Sequence, residues 1–239
     1  MNFVLWSQAT PAAALFAQLT PAALKEIAQA ITIQLNRDLS PCWGGDYAMR
    51  VGAGPGDLTA GEVSCAILDT LPVAGAVADH GVDPNAVPVI EIGLTDCDGI
   101  LSGSTPLSGA ASHEALETAV DKFCNGWRDD GAGFEWAQEA CDAVQEWTYA
   151  IGGVPVSDFV TPEFFGPGSV GPYNFLGIPG QTAGSALALP APFSTAPGGY
   201  QVRRVSGTGE VQVTGMIAAH RRARKRHPSS RTYRRGARV

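Results

Sequence analysis

The sequence lacks several features that would assign it to a class of protein directly. No apolar run is long enough to cross a bilayer, and no glycine-rich phosphate loop or internal repeat is present. The apolar start, Met1 to Trp6, has neither a basic lead-in nor a convincing cleavage site, which argues against a secretory signal. The five cysteines are odd in number and widely spaced. We therefore expect no disulfide framework and no zinc knuckle, but mostly buried thiols in a reducing compartment.

Charge is unevenly distributed along the chain. The formal net charge is -7, yet nine of the 16 basic residues lie beyond Ala218, where there are no acidic residues. The preceding part therefore has seven basic against 23 acidic residues and a net charge of about -16. This asymmetry predicts an acidic globular unit with a basic arm that contacts a polyanion or an acidic protein surface. The predicted contact residues are Arg221, Arg222, Arg224, Lys225, Arg226, Arg231, Arg234, Arg235 and Arg238.

The N-terminal third opens with an alanine-rich segment and continues into a helix. Residues 1–19 combine apolar runs with a proline, and we predict an N-terminal arm or a short docking helix there. Thr20 as a cap and Pro21 in the first turn then start a helix, expected to end near residues 36–38. A turn is predicted at residues 40–45, which include Pro41 and two glycines.

Strand and turn signals complete the predicted domain. Strands are predicted at residues 47–51, 63–71, 87–93 and 154–160, and a β-hairpin at residues 199–213. Together with the helices, these strands indicate an α+β fold. We predict one α+β domain over residues 20–217, with the arm before it and a basic tail over residues 218–239.

One stretch, residues 112–121, concentrates the side chains that carry chemistry. We predict a helix there with Ser112 as its N-cap and with Leu116, Val120 and Phe123 facing a core. A solvated surface helix without chemistry is the alternative interpretation of the same stretch.

On this helix, His113 and Glu117 lie one turn apart on one face, where one metal ion would contact both. Glu114 lies beside them. Asp121 is on the same face but about 12 Å from His113 along the axis, too far to share an ion. A third ligand must therefore come from another part of the chain.

The His-Glu-x-x-Glu string resembles the helix of zincin metallopeptidases, with Glu117 in place of their second histidine. The resemblance implies zinc as the cofactor and Glu114 as the catalytic carboxylate that activates water. The order of a helix, a sheet and then this helix is also the order of a zincin-like domain, although many α+β folds share it.

A second helical pattern is predicted from Phe134 to Val144, with an acidic face that includes Glu139 and Asp142. In gluzincins the third metal ligand is a glutamate on a downstream helix, so the resemblance makes Glu139 or Asp142 the further ligand. A solvated acidic face is the alternative interpretation of these residues. The other histidines, His80, His220 and His227, have no evident catalytic partners in the sequence.

A wider resemblance covers roughly residues 20 to 205. The strings that carry it are Asn36-Arg37-Asp38, Pro41, Trp43-Gly44, Ser112-His113-Glu114, Leu116-Glu117, Asp121, Asn125, Trp127, Glu139, Cys141-Asp142, Val156-Ser157, Phe159-Val160, Phe164, Pro192-Phe193 and Gly198-Gly199-Tyr200. Together they resemble a family of tailed-bacteriophage virion-associated proteins for which no activity is established.

Two functions follow as expectations. The first is a structural or accessory virion protein, part of a capsid, neck or tail, built on a zincin-like domain and anchored by its terminal arms. Its partners would be other virion proteins in a multi-copy assembly, with non-specific DNA contact through the basic tail and no membrane contact. The alternative is a metal-dependent peptidase that uses His113, Glu114 and Glu117.

Overall fold

The computed structural model describes residues 1–71, 76–181, 187–205 and 209–215. Within them the fold is α+β, as predicted, with three sheets and helices packed beside the largest. The basic tail lies outside the described residues, including all nine of its predicted contact residues. No helix in the described ranges is long and apolar enough to span a membrane.

The largest sheet has five strands in the order β2-β1-β3-β5-β4. Neighbouring strands run parallel, except that β4 is antiparallel to β5 at one edge. The strands are β1 (Asn2–Ser7), β2 (Ala48–Val51), β3 (Val63–Leu68), β4 (Ala78–Val82) and β5 (Pro88–Gly93). Three of them match the predicted strands, whereas β1 and β4 were not predicted.

The prediction of an N-terminal arm or docking helix is wrong for residues 2–7. Strand β1 pairs with both β2 and β3, and Phe3, Val4 and Leu5 are completely buried. A strand between two parallel neighbours is covered on both faces, so its residues form a continuous apolar run and do not alternate. The segment from Phe3 to Trp6 has that character.

The first helix, α1 (Pro21–Ile33), begins as predicted, because the Thr20 side chain accepts a hydrogen bond from the Ala23 N–H. It does not end near residues 36–38. The chain continues through a π-helical segment, Gln34–Leu39, into α2 (Ser40–Trp43). Proline cannot donate a backbone hydrogen bond and crowds the preceding turn, and the wider π turn ahead of Pro41 accommodates it.

The helix with the His-Glu-x-x-Glu string, α3 (Leu107–Val120), starts five residues earlier than predicted. Ser112 is therefore inside the helix, not at its N-cap. Its hydroxyl donates to Gln34 Oε1 at 2.7 Å and accepts the Ser157 N–H at 2.9 Å, which ties α3 to two other elements. Leu116 is buried as predicted, whereas Phe123 lies beyond the helix and is 49% exposed.

The predicted second helix, residues 134–144, is replaced by extended structure and a short 3₁₀ turn. Strands β6 (Trp127–Asp129) and β7 (Glu135–Ala137) form a hairpin, and the 3₁₀ turn spans Asp142–Val144. Gly131 and Gly133 in the connection both have positive φ, a conformation that a helix excludes and a hairpin turn uses.

Two further hairpins follow in the chain. Strands β8 (Thr148–Ile151) and β9 (Val154–Ser157) form one, and the other is β10 (Tyr200–Arg204) with β11 (Glu210–Thr214), as predicted. Strand β10 also pairs with β7, giving a four-stranded antiparallel sheet in the order β11-β10-β7-β6. All five cysteines are free thiols, and Cys65, Cys97 and Cys141 are buried.

Candidate metal centre

Helix α3 brings its polar side chains into the interior because it is covered on several sides. It packs against β4 and β5 of the main sheet and against β9. Glu114 and Glu117 are therefore among its buried residues, alongside Ala115 and Leu116. A buried carboxylate is costly unless a counter-charge or hydrogen bonds compensate it, so the neighbours of these residues decide their role.

The first group of converging ligands joins α3 to the 3₁₀ turn after β7. His113 Nε2 lies 3.4 Å from Glu117 Oε1 and 3.3 Å from Asp142 Oδ1. One ligand atom from each of these three residues lies within 4.8 Å of the other two. The structure thus brings together the predicted pair, His113 and Glu117, and one of the two candidates for the third ligand.

The second group adds a histidine that the sequence analysis left without partners. His80, on edge strand β4, has Nδ1 2.9 Å from Glu114 Oε2 and 3.2 Å from Glu117 Oε2. Its Nε2 lies 3.5 Å from Glu139 Oε2. His80, Glu117 and Glu139 also offer ligand atoms within 4.8 Å of one another. Both downstream candidates, Glu139 and Asp142, therefore lie at the cluster, in different groups that share Glu117.

Backbone N–H groups donate hydrogen bonds to two acidic side chains, that of Glu117, which both groups share, and that of Asp121. Glu117 Oε1 accepts the Cys141 N–H at 3.0 Å, which holds the segment after β7 against α3. Asp121 accepts the N–H groups of Asn125 and Gly126, at 3.2 and 2.8 Å. Asp121 thus anchors the turn that follows α3.

Burial and the charges of neighbouring side chains strongly shift the pKa values of the residues in the cluster. Burial opposes the ionisation of Glu117, but His113 and His80 outweigh it and hold the Glu117 pKa well below its usual range. Burial, and then the negative charge of Glu117, raise the pKa of Asp142 to about 8. Burial opposes a charge on His113, yet Glu117 and Asp142 raise its pKa well above the ordinary value. Metal binding there must displace protons.

Tyr200, at the start of β10, is a further group beside the cluster that the sequence analysis did not single out. Burial, and then the negative charges of Asp142 and Glu117, raise the pKa of its phenol well above the ordinary value. Strand β10 therefore packs against the 3₁₀ turn that carries Asp142.

The first group has the dimensions of a metal site. Tetrahedral zinc with nitrogen and oxygen ligands at about 2.0–2.2 Å holds them about 3.4 Å apart. The His113 distances of 3.4 and 3.3 Å match that spacing and exceed the roughly 2.7–2.9 Å of a charge-assisted hydrogen bond. One imidazole and two carboxylates suit a divalent cation such as Zn²⁺.

Comparison of the chain with models of known protein families, with curated proteins and with solved structures found no match in any of the three. The resemblance to a family of tailed-phage proteins therefore stays a prediction. The class that the fold and site define is coarser: an α+β protein with buried groups of histidine and carboxylate side chains able to bind a metal ion.

Proposed function

We propose that this chain is a structural or accessory virion protein of a tailed phage, whose zincin-like domain is stabilised by a divalent ion bound to His113, Glu117 and Asp142. The observation that carries the metal part is the separation of His113 Nε2 from the two carboxylates, which equals a tetrahedral ligand edge. The zincin-like assignment is supported by the order of α1, strands β2 to β5 and α3, which the resemblance implies, although strand β1 of the same sheet precedes α1.

Burial favours a structural ion over a catalytic one. The side chains of His80, Glu114, Glu117, Glu139 and Asp142 are each at most 8% exposed, and His113 is 15% exposed. Catalytic zinc keeps a coordination position open to substrate, whereas structural zinc is enclosed. Two carboxylate ligands also leave the ion less acidic toward bound water than two histidines would.

The virion part of the proposal draws on the phage resemblance and on the charge asymmetry of the sequence. An acidic body with a basic tail of nine positive charges suits a component fixed in a larger particle. Deletion of residues 218–239 tests the tail. Reduced particle assembly with DNA retention unchanged would identify a protein contact, whereas a loss of salt-sensitive DNA retention would identify phosphate contact. If neither changes, the tail has no anchoring role.

Elemental analysis of the purified full chain tests the metal part. We expect bound divalent metal in the wild type, and its loss from this group in His113→Ala and in Asp142→Asn. Asp83→Asn, in the turn between β4 and β5, is the matched control and should retain the metal. A wild-type chain free of metal after saturation with Zn²⁺ or Mn²⁺ would contradict the proposal.

A metal-dependent peptidase is the second candidate, and the position of Glu114 is the observation that favours it. Its carboxylate reaches the same cluster as both histidines, next to Glu117. If the metal-loaded chain cleaves an unstructured protein substrate and Glu114→Gln abolishes cleavage while keeping the ion, the peptidase replaces the structural role. We expect no cleavage, because the ligands are enclosed.

A further inference from the structure

We infer that the cluster binds two divalent cations, not one, with Glu117 bridging them and the second ion held by His80, Glu139 and Glu117. The inference rests on the proposed metal function and extends it from a mononuclear to a dinuclear centre. Four features of the described residues carry it: the orientation of Glu117, the free nitrogen of His80, the role of Glu114, and the balance of charge.

The two oxygens of Glu117 face different histidines. Oε1 lies 3.4 Å from His113 Nε2, and Oε2 lies 3.2 Å from His80 Nδ1. A carboxylate with one ion on each oxygen is the usual bridge of two-metal centres, whose ions are about 3.5–4 Å apart. Oε2 lies nearest to Nδ1 of the His80 ring, and a Glu117 oxygen lies within 4.8 Å of the ligand atoms that His80 and Glu139 offer.

The second histidine has a ring nitrogen with no hydrogen bond. His80 is 3% exposed, and its Nε2 is a buried polar atom without a hydrogen-bond partner. A buried polar group left without a hydrogen bond destabilises the folded state. Glu139 Oε2 lies 3.5 Å from it, a separation close to the roughly 3.4 Å between two ligands of one tetrahedral ion. A cation at this position would satisfy Nε2.

The other ring nitrogen of His80, Nδ1, has a carboxylate partner, as is usual for a histidine that binds a metal through its second nitrogen. Glu114 Oε2 lies 2.9 Å from Nδ1, so a proton on Nδ1 is held there and Nε2 is left as the metal ligand. A carboxylate behind a histidine fixes its tautomer and ring orientation and makes it a better ligand. Glu114 is therefore a positioning residue for the second ion.

Charge balance also favours two ions. Glu114, Glu117, Glu139 and Asp142 are all buried, and the ion pairs found for Glu114, Glu117 and Asp142 are with histidines. Once metal binding has displaced the protons, two divalent cations balance the negative charges of the four carboxylates while both histidines are neutral. Buried charge without compensation is unfavourable. Imidazole and carboxylate donors suit Zn²⁺, Mn²⁺ or Fe²⁺.

Equilibrium dialysis of the full chain against Mn²⁺, with metal content measured afterwards, tests the inference. We expect two ions per wild-type chain and one in His80→Ala and in Glu139→Gln, with Asp83→Asn remaining at two. Electron paramagnetic resonance gives an independent readout, since two bridged Mn²⁺ ions are magnetically coupled and one is not. The wild type should show the coupled spectrum, and His80→Ala an isolated-ion spectrum. Circular dichroism shows whether each variant is folded, and Glu139→Gln serves if His80→Ala is not.

The outcomes separate this inference from the proposed function. One ion per wild-type chain with an uncoupled spectrum would overturn the dinuclear centre and leave the single structural ion standing. No bound ion would overturn both. Two ions without magnetic coupling, unaffected by His80→Ala and Glu139→Gln, would place the second ion elsewhere and also overturn the inference.

Discussion

His80 Nδ1 and Glu114 Oε2 lie 2.9 Å apart in the interior, although 34 residues separate them in the chain. One belongs to the edge strand of the main sheet and the other to helix α3. The sequence motif suggests that Glu114 activates a water molecule. In the structure the Glu114 carboxylate instead contacts the His80 ring, which suggests that it orients a metal ligand. The two roles make opposite predictions for the same substitution.

As a positioning residue, Glu114 should affect metal affinity at the His80 ion. Glu114→Ala is expected to lower the affinity for that ion by about 10–100-fold, which is the usual effect of removing the carboxylate that hydrogen-bonds to a ligating histidine. Glu114→Gln keeps an oxygen acceptor for the His80 N–H and should lower this affinity less. Isothermal titration with Mn²⁺ measures both. Unchanged affinity in both variants, with loss of peptide cleavage, would identify a general base.

Removal of the metal should destabilise the folded chain. An ion that binds only the folded state adds about 2.7 kcal/mol to the free energy of unfolding when its free concentration is 100 times Kd. Urea unfolding with Zn²⁺ and with a chelator should therefore differ by about this amount for each ion. His113→Ala should show a smaller difference than the wild type. Equal stability under both conditions would exclude a structural ion.

Strand β1 should contribute strongly to stability, contrary to the arm expected from the sequence. Leu5 is completely buried, and Leu5→Ala should lower the free energy of unfolding by about 2–5 kcal/mol through lost burial and a cavity. Asn2→Ala is the matched control, because Asn2 is on the same strand but exposed. Similar small effects in both variants, measured by chemical unfolding, would favour the arm.

Asp158 should make stability fall as pH rises. It is fully buried, accepts hydrogen bonds from Asn174 and Leu176, and burial raises its pKa to about 7. Because its folded pKa exceeds its unfolded value, the folded chain binds the proton more tightly. Its contribution is therefore fully present below about pH 4 and is lost toward pH 7, on the order of 4 kcal/mol.

The Asp158→Asn variant cannot titrate, so unfolding curves of wild type and variant should differ in slope between pH 4 and pH 7. Subtraction of the two curves removes the contribution of the metal ligands. Asp69→Asn is the contrasting control. Hydrogen bonds from Thr10 lower the Asp69 pKa, so its contribution is lost as pH falls. Parallel wild-type and Asp158→Asn curves would contradict the prediction.

The sequence predicts local features of this fold better than long-range ones. The Thr20 cap, the pairing of β10 with β11 and the proximity of His113 to Glu117 depend on neighbouring residues or short spacings, and the structure confirms them. The segment of β4 is Ala-Asp-His-Gly-Val, with a single β-branched residue, so it carries little strand signal. It is a strand because it pairs with β5.

His80 could not be found for the same reason, since its partners lie 34 or more residues away. The false second helix has a related cause. The spacing of apolar residues from Phe134 to Val144 fits a helical stripe. In the structure Trp136 belongs to strand β7 and packs on Phe193, with ring centroids 5.6 Å apart. That tertiary contact and the glycine turn outweigh the periodic pattern.

The enclosure of the ligands by α3, β4 and the 3₁₀ turn has a kinetic consequence. A cation coordinated behind nearly inaccessible side chains exchanges only when those elements separate, so its residence time follows the opening rate of the domain. Such a centre would be loaded while the chain folds and would retain whichever suitable cation was abundant at that moment. The metal recovered with the protein would then report the conditions of synthesis more than equilibrium preference.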